Sequence, residues 1–146
     1  MRPSRQTSSI LVIIALAATL AGCASAGPEY RQESTAYTAE SAQQLLDTGA
    51  PTPLTEIPEA QTSEARERAL TALRARGGDA AKAADVLTET FVSEKGGVPY
   101  LVMWAPFEGE TALIVLEAVN HGDGPSTGRR LWVLAQDGDV LLSAQK

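Results

Sequence analysis

The stretch TALIVLEAVN, residues 111–120, decides the fold of this chain. Four large apolar residues stand side by side at positions 113–116, so a strand formed here has two apolar faces. A strand of this kind is buried on both sides, and its place is in the middle of a sheet. The sequence therefore predicts a central strand at residues 111–120.

Three further apolar runs with strand character surround this central stretch. They are VPYLVMWAPF at 98–107, RRLWVLAQ at 129–136 and DVLLSAQ at 139–145. The links between the runs are short, and Asp137-Gly138 is a strong hairpin signal. Short links favour antiparallel neighbours, so we expect the runs to form a meander in chain order.

The residues before these runs have helical character. Thr62-Ser63-Glu64 supplies a helix start, and Gly77-Gly78 supplies a stop. A second, alanine-rich helix is predicted over residues 79–85. Residues 86–93 (VLTETFVS) are ambiguous, because they fit either a further strand or the end of one continuous helix over 79–91.

The sequence thus predicts an α+β domain over residues 62–146. One or two N-terminal helices would pack on a four- or five-stranded antiparallel meander sheet. One face of the sheet would receive the helices, and the other would face solvent or a partner. With a continuous helix over 79–91, the domain resembles in architecture the small domains of outer-membrane assembly lipoproteins, a likeness that transfers no function.

The first 22 residues have the three-part pattern of a secretory signal peptide. Arg2 and Arg5 form a basic start, an apolar run follows from Ile10 to Leu20, and small residues come after it. At about 1.5 Å per residue, this run spans roughly half of a bilayer core of about 30 Å. It is therefore too short to be predicted as a transmembrane helix.

The four residues Leu20-Ala21-Gly22-Cys23 end this leader and contain the only cysteine of the chain. They resemble the lipobox of bacterial lipoproteins. The resemblance implies that the Cys23 thiol takes a diacylglyceryl group and that a peptidase cuts before Cys23, which gives a firm membrane anchor. Ala24 fits outer-membrane sorting, because enterobacterial lipoproteins retained in the inner membrane carry Asp there. The alternative is a plain secreted protein cut at an Ala-x-Ala-like site formed by Ala24 and Ala26.

Residues 23–61 have the composition of a flexible tether, rich in Pro, Ser, Thr, Ala, Gln and Glu. Such a stretch buries too little apolar surface to offset its ordering entropy. As a coil, residues 24–61 would have a root-mean-square reach of roughly 35 Å. Residues 39–47 are the exception, with Ala42, Leu45 and Leu46 on one side of a helical turn or two. That helix is predicted to be transient, to dock on the domain, or to bind a partner.

Charge and cysteine content exclude several classes of function. The whole chain has a formal net charge of −6, and without Arg2 and Arg5 its ten basic and eighteen acidic residues leave −8. An acidic chain without basic clusters is a poor ligand for nucleic acid or for anionic lipid. A single cysteine forms neither an intramolecular disulfide nor a thiolate zinc cluster.

His121, the only histidine, raises the one catalytic or metal-binding hypothesis. It lies in NHGDG beside Asp123, with Glu117 four residues earlier. A general base here lacks a nucleophile, because there is no second cysteine, and the nearest serine, Ser126, is part of a loop of Pro, Gly and Thr and not of a strand-to-helix nucleophile elbow. A metal site lacks ligands other than carboxylates. Because Asn, Gly and Asp are turn residues, the sequence predicts a turn here, and no catalytic residue, metal or cofactor.

Aromatic residues give the candidate binding surface. Tyr100 and Trp104 are four apart in one predicted strand, so they and Val102 are expected on the same face. Trp132 is expected nearby on the same sheet. If that face is uncovered, the three aromatic residues form a partner or ligand surface, and if helices cover it, they are core residues.

Together these observations predict a lipid-anchored, non-catalytic binding or structural protein of the cell envelope. It would lie on the outer face of a membrane, the outer membrane where the cell has two. Its expected contacts are the membrane, through lipidated Cys23, and an envelope protein or peptide. The alternative is an envelope-anchored hydrolase or small-ligand carrier that uses His121 and neighbouring carboxylates.

Overall fold

A five-stranded sheet organises the chain in the computed structural model, which describes residues 27–55, 57–90, 97–120 and 127–146. The fold is α+β. The strands are β1 (Glu29–Gln32), β2 (Val98–Phe107), β3 (Glu110–Asn120), β4 (Thr127–Leu134) and β5 (Val140–Gln145). The helices are α1 (Ala39–Gln44), α2 (Thr52–Thr55), α3 (Thr62–Ala75) and α4 (Gly78–Asp85), with 3-10 turns at Leu45–Asp47 and Glu59–Gln61.

The predicted meander is confirmed for β2 to β5, which pair antiparallel in chain order. Strand β3 is the middle strand, and residues 113–116 are all fully buried, as their two apolar faces predict. The prediction of an entirely antiparallel sheet is wrong, because β1 adds to the edge of β2 in parallel, with Glu29 opposite Leu101 and Gln32 opposite Trp104. Parallel neighbours need a long crossover, and the four helices between β1 and β2 supply it.

Two tight turns set the register of the meander. Glu108 and Gly109 both have positive φ, 49° and 94°, as a two-residue turn between twisted antiparallel strands requires. Gly138, with φ 91°, lies in the turn between β4 and β5, so the hairpin predicted at Asp137-Gly138 is confirmed.

Helices α3 and α4 cover one face of the sheet, called here the helical face. Its buried strand residues are Val102, Leu113, Val115 and Leu134. The two helices and the turn after α4 pack apolar residues against these, namely Leu70, Leu73, Ala80, Ala83, Ala84 and Leu87.

The residues after α4 continue the helix rather than form a strand. Val86–Thr90 is a π-helical turn, and the Thr88 hydroxyl donates a hydrogen bond to the Ala84 carbonyl oxygen at 2.7 Å. Leu87 is buried on the helical face, and this burial explains why a Thr- and Val-rich stretch stays helical. The strand reading is therefore wrong for residues 86–90, and residues 91–93 lie outside the described ranges.

The opposite face of the sheet, called here the segment face, is also covered. Its strand residues include Met103, Ile114, Leu116, Leu131 and Val133. The cover comes from residues 37–54, where α1 and the following 3-10 turn bury Ala42 and Leu46. The expectation that this face meets solvent or a partner is wrong, because β3 is apolar on both sides and both sides need a cover.

The structure thus differs from the predicted tether over residues 28–54. Pro28 is fully buried, β1 is part of the sheet, and α1 is docked. Helix α1 begins with a capping box, in which the side chains of Thr38 and Ser41 each bond the other residue's backbone N–H. This cap and a few well-placed apolar residues order a segment that is polar on average. Residues 23–26 lie outside the described ranges.

Candidate functional site

The structure separates the three aromatic residues of the predicted binding surface. Trp104 and Trp132 are half-buried at the helical face, as the alternation of strand residues predicts. Tyr100 lies on the segment face instead, so the prediction that it shares a face with Trp104 is wrong. The cause is an irregularity in the β2–β3 register between Pro99 and Leu101, beside a proline that has no N–H for the ladder.

Tyr100 is a core residue of the segment face. It is 6% exposed, and its hydroxyl donates a hydrogen bond to the Thr48 carbonyl oxygen at 2.8 Å. Burial raises the pKa of the Tyr100 hydroxyl, so the group stays a neutral donor. Tyr100 therefore ties β2 to the chain after α1 and offers no surface to a partner.

Trp104 instead lines an open pocket of about 370 Å³. The pocket lies where the end of β1, the first turns of α4 and the turn after β4 come together. Its other lining residues are Gln32, Glu33, Asp79, Lys82, Ala105, Pro106, Thr111 and Gln136. The structure thus assembles a candidate site from four separate parts of the chain, two of which lie outside the predicted sheet.

Hydrogen bonds fix one wall of this pocket. The Trp104 indole N–H donates to the backbone oxygen of Asp79 at 2.9 Å. The Asp79 carboxylate accepts bonds from the Lys82 ammonium at 2.7 Å and from the Gln32 amide at 2.6 Å. Lys82 holds the pKa of Asp79 below its ordinary value, the Gln32 amide adds to the effect, and the same pair raises the pKa of Lys82. Both groups are therefore charged at neutral pH.

The composition of the pocket suits a small ligand that is polar and has one apolar face. The indole of Trp104 and the ring of Pro106 offer apolar contact area. Carboxylates, amides and one ammonium around them offer both hydrogen-bond donors and acceptors. Binding pockets commonly combine an apolar surface with a few placed polar groups in this way.

A second polar cluster lies inside the fold, away from the pocket. Glu117, on β3, is fully buried, and its two oxygens accept bonds from Arg66 of α3 at 2.5 Å and from the Trp132 indole at 3.0 Å. Arg66 also donates to the Gly97 carbonyl oxygen at 2.7 Å. The Arg130 guanidinium lies 5.5 Å from the centroid of the Trp132 ring. Because all partners are satisfied, this cluster fixes α3 on the sheet.

This cluster bears on the hypothesis built around His121. Glu117 was one of the carboxylates that would assist His121, but both its oxygens are engaged by Arg66 and Trp132. His121 and Asp123 lie outside the described ranges. Within those ranges, no three His, Cys, Asp or Glu side chains come together as a metal site would require.

The lipobox residues Leu20, Ala21, Gly22 and Cys23 also lie outside the described ranges. Among the helices that are described, none has both the length and the apolarity to span a bilayer. Comparisons with protein-family models, with curated proteins and with solved structures find no match to this chain.

Sequence reasoning found Trp104 but not the pocket around it. Asp79 and Lys82 look like an ordinary first helical turn, and Gln32 lies in the stretch predicted as tether. Only the parallel pairing of β1 with β2 brings Gln32 beside Trp104. The one local signal is a tryptophan close to the end of a predicted strand, which by itself does not identify its neighbours.

Proposed function

We propose that this protein is a lipid-anchored, non-catalytic binding module of the bacterial cell envelope. The observation that carries the proposal is the single cysteine at Leu20-Ala21-Gly22-Cys23, directly after a basic start and an apolar run. Thioether acylation at Cys23 attaches the chain to the outer face of a membrane, the outer membrane where there are two. The folded part then acts where it is anchored.

The Trp104 pocket is the proposed recognition site of this module. Both faces of the sheet are used in packing, so binding through an open sheet face is not part of the proposal. The pocket offers an aromatic surface beside charged and amide groups, and its wall is held by hydrogen bonds before any ligand arrives. A preformed wall lowers the ordering cost of binding.

The anchor is tested by the intact mass of the protein extracted from membranes, beside a Cys23→Ala version. We expect a chain that starts at Cys23 and is heavier by its acyl chains. The Cys23→Ala protein should lack this added mass and leave the membrane fraction. An unmodified chain that starts elsewhere would contradict the proposal.

The pocket is tested by nuclear magnetic resonance of residues 23–146 carrying Cys23→Ala. The two indole N–H signals report on two places, since Trp104 faces the pocket and Trp132 bonds buried Glu117. The probes are soluble disaccharide-peptides of the cell wall, which carry sugar ring faces and both charges. We expect a saturable shift of the Trp104 signal with the Trp132 signal unchanged.

Two lysines make a matched pair of variants for this titration. Lys82 bonds Asp79 in the pocket, and Lys146 forms an ion pair with Asp47 at the opposite side of the sheet. Lys82→Ala should weaken the titration of Trp104, and Lys146→Ala should leave it intact. Equal effects of the two changes, or no shift of Trp104 with any probe, would count against the pocket as the recognition site for this class of ligand.

A further inference from the structure

The contacts of Gly27 and Pro28 determine where the chain enters the fold. Pro28 is fully buried, and its carbonyl oxygen accepts a hydrogen bond from Arg76 at 2.9 Å. A Cβ atom at Gly27 would lie 2.8 Å from the Cβ of Ala72, so the Gly27 backbone packs closely against the last turn of α3. The chain therefore enters the fold at the junction of β1 and α3, beside Ala72.

Very little chain remains between this junction and the proposed anchor. Five residue steps separate Cys23 from Pro28, and fully extended they span at most about 17 Å. The reach predicted for a flexible tether over residues 24–61 is roughly 35 Å. A domain held this closely cannot turn all of its sides toward the bilayer.

We infer that the surface of α3 around Ala72 rests against the lipid headgroups, an inference that builds on the proposed acylation of Cys23. The length of the remaining chain and the point where it meets the fold select this surface. Exposed residues there include Arg68, Thr71, Ala75 and Arg76.

The exposed basic side chains of this surface suit contact with the phosphates of the lipid headgroups. In an α-helix, residues four positions before and after Ala72 lie on the same side of the helix, and here they are Arg68 and Arg76. Among the described residues, neither arginine forms an ion pair with an acidic side chain. Guanidinium groups bind phosphate oxygens well, so the two arginines flank the entry of the chain with groups that suit lipid phosphates. The anchor supplies the affinity, and the arginines orient the domain.

This placement sets the Trp104 pocket at the other end of β1 from the entry of the chain. Strand β1 runs from the junction toward Gln32 and Glu33, which line the pocket. At roughly 3.3 Å per residue, Glu33 lies about 16 Å along the strand from Pro28. Helix α1, on the segment face, lies on the opposite side of the sheet from α3 and faces away from the bilayer.

The test places a fluorophore on opposite sides of the sheet. Because Cys23 is the only cysteine and acylation consumes its thiol, a single introduced cysteine is the only free thiol of the acylated protein. Ala75→Cys puts that thiol at an exposed position of α3, and Gln43→Cys puts it at an exposed position of α1. Both acylated variants are labelled with bimane in vesicles of phosphatidylcholine and phosphatidylglycerol that contain a headgroup-nitroxide lipid.

We expect the nitroxide to quench bimane at position 75 several-fold more than at position 43. Equal quenching, or stronger quenching at 43, would overturn the inference. Thr71→Cys provides a second site on α3 if Ala75→Cys does not fold, and the same result is expected there. Intact mass of each sample separates the two proposals: absent acylation contradicts the proposed function and this inference with it, whereas acylation with equal quenching contradicts this inference alone.

An insertion tests whether the short chain sets the placement. A Gly/Ser insert as long as residues 24–61, placed after Ala26, should preserve acylation but reduce quenching at position 75 toward the value at 43. Undiminished quenching at 75 would contradict the role given to the short connection between Cys23 and Pro28.

Discussion

The two faces of the sheet are covered in different ways. On the helical face, α3 brings two buried leucines, α4 brings three buried alanines, and Arg66 of α3 forms an ion pair with buried Glu117. On the segment face, the cover is a short segment with the composition of a linker, and only Ala42 and Leu46 of its α1 region are buried. The comparison shows that the positions of a few apolar residues, and not the average composition of a segment, decide whether that segment packs into a core.

The reason lies in β3 itself. Residues 113–116 are apolar on both sides, so a stable sheet needs a cover on each face. The helices recognised from the sequence supply one cover. Since the described residues after β3 form β4, β5 and the turn between them, the second cover comes from the stretch before α3.

The largest expected effect comes from removing that cover. A chain limited to residues 62–146, the predicted domain, lacks β1, α1 and α2 and exposes the segment face. We expect it to lose cooperative unfolding, whereas residues 24–146 unfold in one transition. Circular dichroism in urea compares the two chains. The same urea midpoint for both would show that the segment face does not need its cover for stability.

The next effect concerns the ion pair of the helical face. Arg66→Met leaves the Glu117 carboxylate buried without its charged partner, and we expect a loss of about 3–5 kcal/mol in the free energy of unfolding. Urea denaturation measures it.

The matching double variant isolates the cause. Arg66→Met with Glu117→Leu removes both charges, and it should recover much of the lost stability despite the unpaired Trp132 indole. A single Arg66→Met change that costs less than about 1 kcal/mol would show that the pair does not hold α3 on the sheet.

An apolar truncation probes the segment face. Leu46 is 6% exposed, so Leu46→Ala should lower the free energy of unfolding by about 2–4 kcal/mol through lost burial and a cavity. Gln43→Ala, at an exposed position of the preceding helix α1, should change it by less than about 0.5 kcal/mol. Equally small losses in the free energy of unfolding for both variants would mean that residues 37–54 do not contribute to the core.

The hydroxyl of Tyr100 tests how the chain after α1 is held on the segment face. Tyr100→Phe removes the hydrogen bond to the Thr48 carbonyl oxygen, and we expect a cost of about 1 kcal/mol. An unchanged free energy of unfolding would argue that the chain after α1 is held by apolar contacts alone.

The smallest expected effect is the dependence of the folding stability on acidic pH. Lys146 lowers the pKa of Asp47, and Lys82, helped by Gln32, lowers that of Asp79, so each carboxylate binds its proton less readily in the folded state. Their stabilising contributions are complete above the unfolded-state pKa and are lost as the pH falls below about 4 toward the lowered folded values. Both groups are exposed, so Asp47→Asn and Asp79→Asn should each reduce the acid sensitivity of the urea midpoint only slightly. A larger acid sensitivity in either variant would reverse the expected sign.

Much of the sheet could be predicted from the sequence, because β2 to β5 carry apolar runs and clear turn residues. Strand β1 could not, since EYRQ has three exposed positions and pairs with residues about seventy positions away. The site was predicted only in part. Trp104 was recognised, but its separation from Tyr100 depends on a register irregularity at Pro99, which alternation along a strand does not reveal.

The central claim is that residues 28–54 belong to the fold, and amide hydrogen exchange on residues 24–146 tests it most directly. The Glu33 N–H donates to the Trp104 carbonyl oxygen at 2.9 Å, and the Tyr37 N–H donates to that of Pro106 at 2.8 Å. We predict that both amides exchange more slowly than in an unfolded peptide, on the order of a hundredfold or more. Exchange at the rate of a free peptide would show that this segment is a tether, and would contradict both the second cover and the close approach to the membrane.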